Sequence, residues 1–164
     1  MKELNFGIQI IAGEGALSKL KGAAGSSVMI ITDHSMMKFG TVAKVTENLP
    51  GCKTTVFDSV IPDPPLEVVK AGVKALDEAK ADTIIAVGGG SVIDAAKAIR
   101  MVAAHAMERN VDTWSLIAIP TTSGTGSEVT DYSVITDAEK DFRSTSPLSV
   151  FVKPLRCSRS FSVW

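Results

Sequence analysis

The chain has 164 residues, of which 45% are hydrophobic and 21% charged, and its formal net charge is −1 at pH 7. This balance excludes a strong electrostatic attraction to nucleic acid or to a membrane surface, so neither partner is expected. No apolar run approaches the roughly 20 residues that span a bilayer. The N-terminus lacks the apolar core of a secretory signal. Two distant cysteines, Cys52 and Cys157, form no disulfide framework, so a cytoplasmic location is expected.

The first part of the chain predicts three strands that alternate with two short helices. Residues 8–12 form the first predicted strand, and residues 16–25 form a short helix with a glycine-rich exit. The continuous apolar run at 26–33 is typical of a strand that is buried in a parallel sheet. A second helix is predicted at 41–50, and a third strand at 53–58.

The second part continues this alternation. Residues 61–81 open with three prolines, of which Pro65 suits a first helical position, and apolar residues then recur at helical spacing. A helix of about four turns is predicted after Gly90. The remaining predicted strands are 83–89, 115–120 and 132–136. Uniformly apolar strands between helices indicate an α/β fold, a Rossmann-like parallel sheet with helices on both faces.

Three consecutive glycines, 88–90, lie between a predicted strand and a predicted helix in the stretch "AVGGGSVIDAAKAI". A helix N-terminus has unpaired N–H groups and a partial positive charge, and glycine lets an oxyanion approach the backbone. Ser91 adds a hydroxyl, and Asp94 lies in the first turn, where it could meet a ribose hydroxyl or an amide. The alternative is a simple tight turn. The fingerprint G-x-G-x-x-G is not met, because Ile93 occupies the third glycine position.

A second loop, "IPTTSGTGSEVT" at 119–130, follows another predicted strand. Loops at the carboxyl ends of neighbouring parallel strands can flank one ligand crevice, although a solvated loop is the alternative. Asp33 ends the strand at 26–33, where a carboxylate could accept from adenosine ribose hydroxyls and repel a 2′-phosphate, or could instead cap the following helix. The hydroxyls that the second loop offers are those of Thr121, Thr122, Ser123, Thr125 and Ser127.

Five stretches in chain order resemble the iron-containing (metal-dependent, group III) alcohol dehydrogenase family, over about residues 5–142. They are "FGIQIIAGEGALSKL", "IITDHSM", "VIPDPPLEVVKAGV", "IIAVGGGSVIDAAKAI" and "IPTTSGTGSEVT". The resemblance implies the N-terminal α/β domain of the dehydroquinate synthase-like fold, which binds a nicotinamide dinucleotide. It also implies hydride transfer between NAD(P) and a small alcohol or aldehyde.

The resemblance further implies roles for individual residues. Asp33 would meet the adenosine ribose and favour NAD over NADP, Asp63 would contact the adenosine end, and Asp94 would lie towards the nicotinamide. The diphosphate would be held by Gly89, Gly90 and Ser91. The other side of the cleft would be lined by Thr121, Thr122 and Thr125.

The resemblance implies a metal ion, Fe²⁺ or Zn²⁺, bound by one aspartate and three histidines of a C-terminal helical domain that is expected to begin beyond the end of this sequence. No catalytic and no metal-binding residue is therefore predicted here, and His34 and His105 are expected to be structural. Residues 143–164 depart from the family pattern, with seven Ser or Thr and no acidic residue. They are expected to be an atypical tail that is frameshifted or disordered, beside an NAD(P)-binding domain at 1–142.

The resemblance thus predicts the cofactor-binding half of an alcohol dehydrogenase, truncated and inactive alone. A non-catalytic dinucleotide-binding fragment and a glycerol dehydrogenase-like relative are the alternatives. The helical domain would normally cover one side of the cleft. Without it, an exposed apolar face is expected to promote association, so a homo-oligomer is a further expectation.

Overall fold

The computed structural model describes residues 8–130 and 132–136, together with the backbone of residues 148–149 and 160–163. The strands are β1 (Gln9–Ile11), β2 (Ser27–Thr32), β3 (Lys53–Phe57), β4 (Thr83–Gly88), β5 (Ser115–Pro120), β6 (Val134–Ile135), β7 (Leu148–Ser149) and β8 (Ser160–Val163). The α-helices are α1 (Leu20–Ala23), α2 (His34–Lys38), α3 (Thr41–Glu47), α4 (Leu66–Ala79) and α5 (Gly90–Ala106). Short 3₁₀ helices span Ala16–Lys19, Val111–Thr113 and Ser127–Val129.

Six strands form one sheet in the order β1-β8-β5-β4-β2-β3, and every described pairing in it is parallel. The remaining two strands, β6 and β7, form a separate antiparallel pair. The prediction of a parallel α/β sheet is confirmed. None of the helices in the described ranges has an apolar stretch long enough to cross a membrane.

Alternate residues of the central strands enter two different hydrophobic clusters, one on each face of the sheet. Met29 of β2 and Ile84 of β4 belong to the cluster that includes the apolar faces of α4 and α5. Their neighbours Ile30 and Ile85 pack on the other face, with residues of α1 and α3. All four side chains are fully buried. This burial on both faces explains why the strands have continuous apolar sequences instead of alternating ones.

The two long helices touch closely where α4 presents Gly72 to Ile99 of α5. A Cβ built on Gly72 would lie 2.2 Å from the Ile99 Cδ1 atom and 2.7 Å from its Cγ1 atom. Ile99 is fully buried. Only a residue without a side chain therefore lets the helices approach to this distance.

The strands β2 and β4 are joined at their starts by the side chain of Asp82. Its Oδ2 atom accepts from the amides of Ser26 and Ser27 at 3.0 and 3.2 Å, and its Oδ1 atom accepts from the Thr83 hydroxyl at 2.9 Å. Desolvation would raise the pKa of Asp82, but these hydrogen bonds outweigh it and hold the pKa below its ordinary value.

Several element boundaries differ from the predictions. Pro65 is the N-cap of α4 and not its first helical residue. The five-residue helix α2 was not predicted. The first predicted helix divides into the 3₁₀ turn Ala16–Lys19 and α1, and the strand predicted at 132–136 is limited to β6. Within the stretch 143–164 the backbone of β8 pairs with both β1 and β5. Apart from β7 and β8, that stretch lies outside the described residues, so the division at residue 142 stays a prediction.

Candidate functional site

The two loops that the sequence analysis singled out begin side by side at the carboxyl edge of the sheet. The last residues of β4 and β5, Gly88 and Pro120, are paired in register. The amide of Thr121 then donates to the Gly88 carbonyl oxygen at 3.0 Å, which extends the contact into the loops. Neighbouring strand ends therefore bring the glycine loop and the hydroxyl-rich loop to one crevice, as is typical of open α/β sheets.

The glycine loop ends in a helix that has no side-chain cap. Gly89 is the N-cap of α5, with an extended backbone at φ −80° and ψ −171°, and its carbonyl oxygen accepts from the amides of Val92 and Ile93 at 3.1 Å each. The Gly90 and Ser91 amides come before the first N–H groups that bond within the helix, so they are available to a ligand or to solvent. The prediction that Asp94 lies in the first turn is wrong, because the helix begins at Gly90 and none of its first-turn side chains is acidic. No carboxylate there offsets the positive end of this 17-residue helix.

The glycines of this loop closely approach the hydroxyl-rich loop. A Cβ built on Gly89 would lie 3.2 Å from the Thr122 Oγ1 atom. A Cβ built on Gly90 would lie 3.1 Å from the Thr125 Cγ2 atom and 3.2 Å from the Ser127 Oγ atom. The structure therefore brings four of the predicted cofactor residues into one narrow gap, with a helix N-terminus on one side and hydroxyls on the other.

Ser127 belongs to this gap, although it was not among the predicted site residues. It is buried, at 8% relative exposure, whereas Thr121, Thr122 and Thr125 are exposed. The sequence analysis included it among the loop hydroxyls but had no means to tell which of them faces the glycines. Its contact with Gly90 is set by the fold of the 3₁₀ turn that it begins.

Asp33 caps α2, as the alternative interpretation of this residue held. Its Oδ1 atom accepts from the Met36 amide at 3.0 Å. Asp33 is half-buried and directly follows β2. The last residue of β2, Thr32, is paired with Val87 of β4 and donates its hydroxyl to the Val87 carbonyl oxygen at 2.7 Å. Asp33 therefore lies at the same sheet edge as the glycine loop, and one of its carboxylate oxygens caps the N-terminus of α2.

Asp63 has no hydrogen bond or ion pair with the gap among the described residues. It is exposed and has a left-handed backbone, with φ 50°. Its loop is held elsewhere, since the Pro64 carbonyl oxygen accepts from the Thr136 amide at 2.9 Å and the Leu66 amide donates back to the Thr136 carbonyl oxygen at 3.0 Å. No described contact joins Asp63 to the glycine loop.

Both carboxylate oxygens of Asp94 have partners within the protein. Its Oδ1 atom lies 3.2 Å from the Lys97 Nζ atom, and its Oδ2 atom accepts from the Val134 amide at 3.2 Å. Asp94 is 8% exposed. The fold therefore uses this side chain to join α5 to the start of β6, and its expected contact with a cofactor stays a prediction.

The expectation that both histidines are structural stays a prediction. The His34 Nδ1 atom lies 3.2 Å from Asp58 Oδ2, and 80% of the His34 side chain is exposed. His105 lies in the last turn of α5, where the helix dipole favours a positively charged group. Within the part of the chain that the structure describes, no three His, Cys, Asp or Glu residues lie together as potential metal ligands. These residues do not fit the family's metal site.

Comparisons with known proteins agree with this architecture. The family model of the iron-containing alcohol dehydrogenases matches residues 8–154. The 1-propanol dehydrogenase PduQ of Citrobacter freundii is 33% identical over 144 residues, which are 87% of this chain and 38% of that protein. The NADPH-dependent butanol dehydrogenase of Clostridium saccharobutylicum is 37% identical over 150 residues, 82% of this chain and 38% of that protein.

Solved structures give the same result. The alcohol dehydrogenase ADH/D1 from an archaeal halo-thermophile of a Red Sea brine pool has a TM-score of 0.79 and 32% identity, and the match covers 94% of this chain and 43% of that one. This chain spans less than half the length of these relatives. Because the family match includes both loops of the gap and nearly all of the described residues, the chain belongs to the iron-containing alcohol dehydrogenase family.

Proposed function

We propose that this chain binds a nicotinamide dinucleotide as the cofactor half of an alcohol dehydrogenase for small alcohols and aldehydes, and that it does not turn over substrate alone. The observation that carries the proposal is the gap between the uncapped N-terminus of α5 and the hydroxyl-rich loop. A diphosphate matches both sides of this gap, because it is anionic and accepts hydrogen bonds from amides and hydroxyls alike.

The diphosphate is assigned to the amides of Gly90 and Ser91, with the Ser91 hydroxyl as a further donor. These amides are available at the start of a long helix, whose dipole favours a negative charge there. Because Gly89 and Gly90 have no Cβ, no side chain of the glycine turn itself stands between these amides and a phosphate oxygen, and the Thr122 and Ser127 hydroxyls lie close to the turn.

The opposite side of the cleft is assigned to Thr121, Thr122 and Thr125, and we add Ser127 because its hydroxyl lies nearest to Gly90. Hydroxyl groups both donate and accept, so they suit phosphate oxygens as well as ribose hydroxyls. When bound, the nicotinamide ring supplies the hydride acceptor or donor of the reaction. The described residues bind and orient the dinucleotide, and no described residue is assigned to activate the substrate oxygen.

Cofactor choice is assigned to Asp33. One of its oxygens is used by the Met36 amide, and the other is left to accept from the adenosine ribose hydroxyls. The same charge repels a 2′-phosphate, so NAD is favoured over NADP. Asp63 is assigned to the adenosine end and Asp94 to the nicotinamide side of the cleft, on the family resemblance alone.

The first experiment is a fluorescence titration of the full chain with NADH and with NADPH. We expect saturable binding of both, with NADH bound more tightly. Incubation with NAD⁺ and 1-propanol, with Fe²⁺ or Zn²⁺ present, should give no NADH. Absence of NADH binding would refute the proposed cofactor site, and metal-dependent alcohol oxidation would refute the statement that the chain is inactive alone.

The role of Asp33 is tested by Asp33→Asn. Asparagine is as good an N-cap as aspartate, so the variant keeps the α2 cap and removes only the charge. The affinity ratio of NADPH to NADH should rise about tenfold, since one unit charge near a phosphate is worth about 1 kcal/mol or more even in a water-like medium. The matched control is Asp58→Asn, which removes a charge from the exposed pair with His34. An unchanged ratio in Asp33→Asn would show that Asp33 does not select the cofactor.

A further inference from the structure

One largely buried ion pair lies on α5 about one turn beyond the glycine turn. Asp94 and Lys97 are one helical turn apart on α5, their Oδ1 and Nζ atoms are 3.2 Å apart, and their side chains are only 11% and 13% exposed. Burying two opposite charges has a large desolvation cost, and such a pair often contributes little to stability. Its hydrogen bonds therefore indicate what it does in this fold.

The pair binds the segment that follows the hydroxyl-rich loop. The Lys97 Nζ atom donates to the Tyr132 carbonyl oxygen at 2.5 Å and to the Thr130 Oγ1 atom at 3.3 Å. Asp94 Oδ2 accepts from the Val134 amide at 3.2 Å. One turn of α5 thus holds three residues between 130 and 134.

The backbone of Asp94 makes a second contact with the same segment. The hydroxyl of Ser133 donates to the Asp94 carbonyl oxygen at 2.5 Å, and Ser133 is 2% exposed. The buried side chain of Ser133 therefore fixes the same segment on α5 from its other side.

The hydroxyl-rich loop itself has mainly local hydrogen bonds in the described structure. The Val129 amide donates to the Gly126 carbonyl oxygen at 3.0 Å, and the Ser127 amide reaches Thr125 Oγ1 at 3.4 Å. Gly124 and Gly126 have positive φ angles of 100° and 65°, in a conformation that few other residues adopt. An exposed, glycine-containing loop of this kind keeps one arrangement only when both of its ends are held.

One end of the loop is held at the sheet, by the bond from the Thr121 amide to the Gly88 carbonyl oxygen. The other end is held by the ion pair. We infer that Asp94 and Lys97 are positioning residues, which anchor Thr130, Tyr132 and Val134 to α5 and thereby hold the hydroxyls of 121–127 opposite the glycine turn. This inference rests on the proposed function for its ligand. It also differs from the predicted role of Asp94, because it needs no contact between that carboxylate and the cofactor.

The test uses the double variant Asp94→Asn/Lys97→Met, which removes both charges together and leaves neither one buried alone. In the ligand-free chain, amide hydrogen exchange of residues 121–130 should become about tenfold faster, while exchange in β4 stays slow. The apparent affinity for the dinucleotide should also fall, by at most the same factor, because only the fraction of molecules with the ordered loop binds. Lys97→Arg keeps the charge and should stay close to the original chain.

Two probes distinguish positioning from direct contact. NADH and ADP-ribose share the adenosine and diphosphate, but ADP-ribose has no nicotinamide. Positioning of the loop predicts the same loss of affinity for both. Loss confined to NADH, or unchanged exchange of the loop, would overturn the inference and favour a direct contact between Asp94 and the nicotinamide.

A milder variant guards against global unfolding of the double variant. Ser133→Ala removes one hydroxyl from the same anchor without changing any charge, and loop exchange should become about two- to fivefold faster. Unchanged exchange in Ser133→Ala would contradict the premise of the inference, that attachment of this segment to α5 orders the loop, even if the double variant does not fold. If the original chain binds no dinucleotide, the proposed function fails, but the exchange measurements still decide whether the ion pair orders the loop.

Discussion

Replacing Gly90 by alanine tests the diphosphate site directly, because the substitution adds one methyl group to the gap. The added Cβ would lie 3.1 Å from the Thr125 Cγ2 atom and 3.2 Å from the Ser127 Oγ atom. Exposed threonine and short serine side chains accommodate such contacts with shifts of a few tenths of an ångström. The backbone gains from the change, since alanine is favoured over glycine in helices by up to about 1 kcal/mol. We therefore expect Gly90→Ala to fold with nearly unchanged stability.

The loss of affinity follows from the donors that the methyl group covers. The proposed diphosphate accepts from the Gly90 and Ser91 amides, and a hydrogen bond to a charged group contributes about 1.5–3 kcal/mol. The methyl group fills the space through which the phosphate oxygen approaches. Loss of one such bond lowers the affinity for NADH by about 10- to 100-fold, at 1.4 kcal/mol for each factor of ten.

The assay is a fluorescence titration with NADH, accompanied by thermal melting to show that the variant is folded. Gly22→Ala is the matched control, because it makes the same chemical change in α1, where a built Cβ meets nothing within 4 Å. The control should bind NADH like the original chain. Folded Gly90→Ala that binds NADH within a factor of two of the original chain would refute the assignment of the diphosphate to this turn.

Two further predictions concern the framework of the site. Gly72→Ala should destabilise the chain by about 1–2 kcal/mol, because overpacking at Ile99 outweighs the gain in helix propensity. Urea denaturation measures the free energy of unfolding, and adding Ile99→Val to the variant should restore part of the loss. Undiminished stability of Gly72→Ala would contradict the close contact. The pKa of Asp82 is held below its ordinary value, so its contribution to stability is present above about pH 4 and is lost as the pH falls through the native pKa. The stability of Asp82→Asn should therefore decrease less between about pH 5 and pH 2 than that of the original chain, and parallel pH profiles would count against the depressed pKa.

The sheet was predictable because its strands are buried on both faces. That environment requires continuous apolar runs, such as residues 28–31, and such runs alternate here with helical patterns. Two elements gave no such signal. The helix α2 has only five residues, which is too short for a helical period. The four residues of β8 are placed in the sheet by pairing with β1 and β5, which are distant in sequence.

The candidate site was predictable to the extent that its contacts are local. The glycine turn and the hydroxyl-rich loop each follow a strand, and adjacent parallel strands bring both loops to one edge. The partners of Asp94 were not predictable in this way, since Val134 lies 40 residues further along the chain. One signal was present, because Lys97 lies three residues after Asp94 and helical residues at this spacing are neighbours. The prediction did not use this spacing, and the role of the pair in holding a loop depends on the tertiary fold.

The helix α5 relates these observations to one another, because different parts of it meet different requirements. Its N-terminus supplies the amides of Gly90 and Ser91, its apolar face packs against α4 at Ile99, and the turn from Asp94 to Lys97 holds the end of the hydroxyl-rich loop. The effects of substitutions should therefore separate. A change at the α4 contact alters stability more than affinity, since it moves no donor of the gap. A change at the first turn alters affinity more than stability, and a change at the ion pair acts on the order of the loop. If all three kinds of change altered NADH affinity and stability in proportion, cofactor binding would depend only on global folding, and the assignment of separate roles along α5 would be wrong.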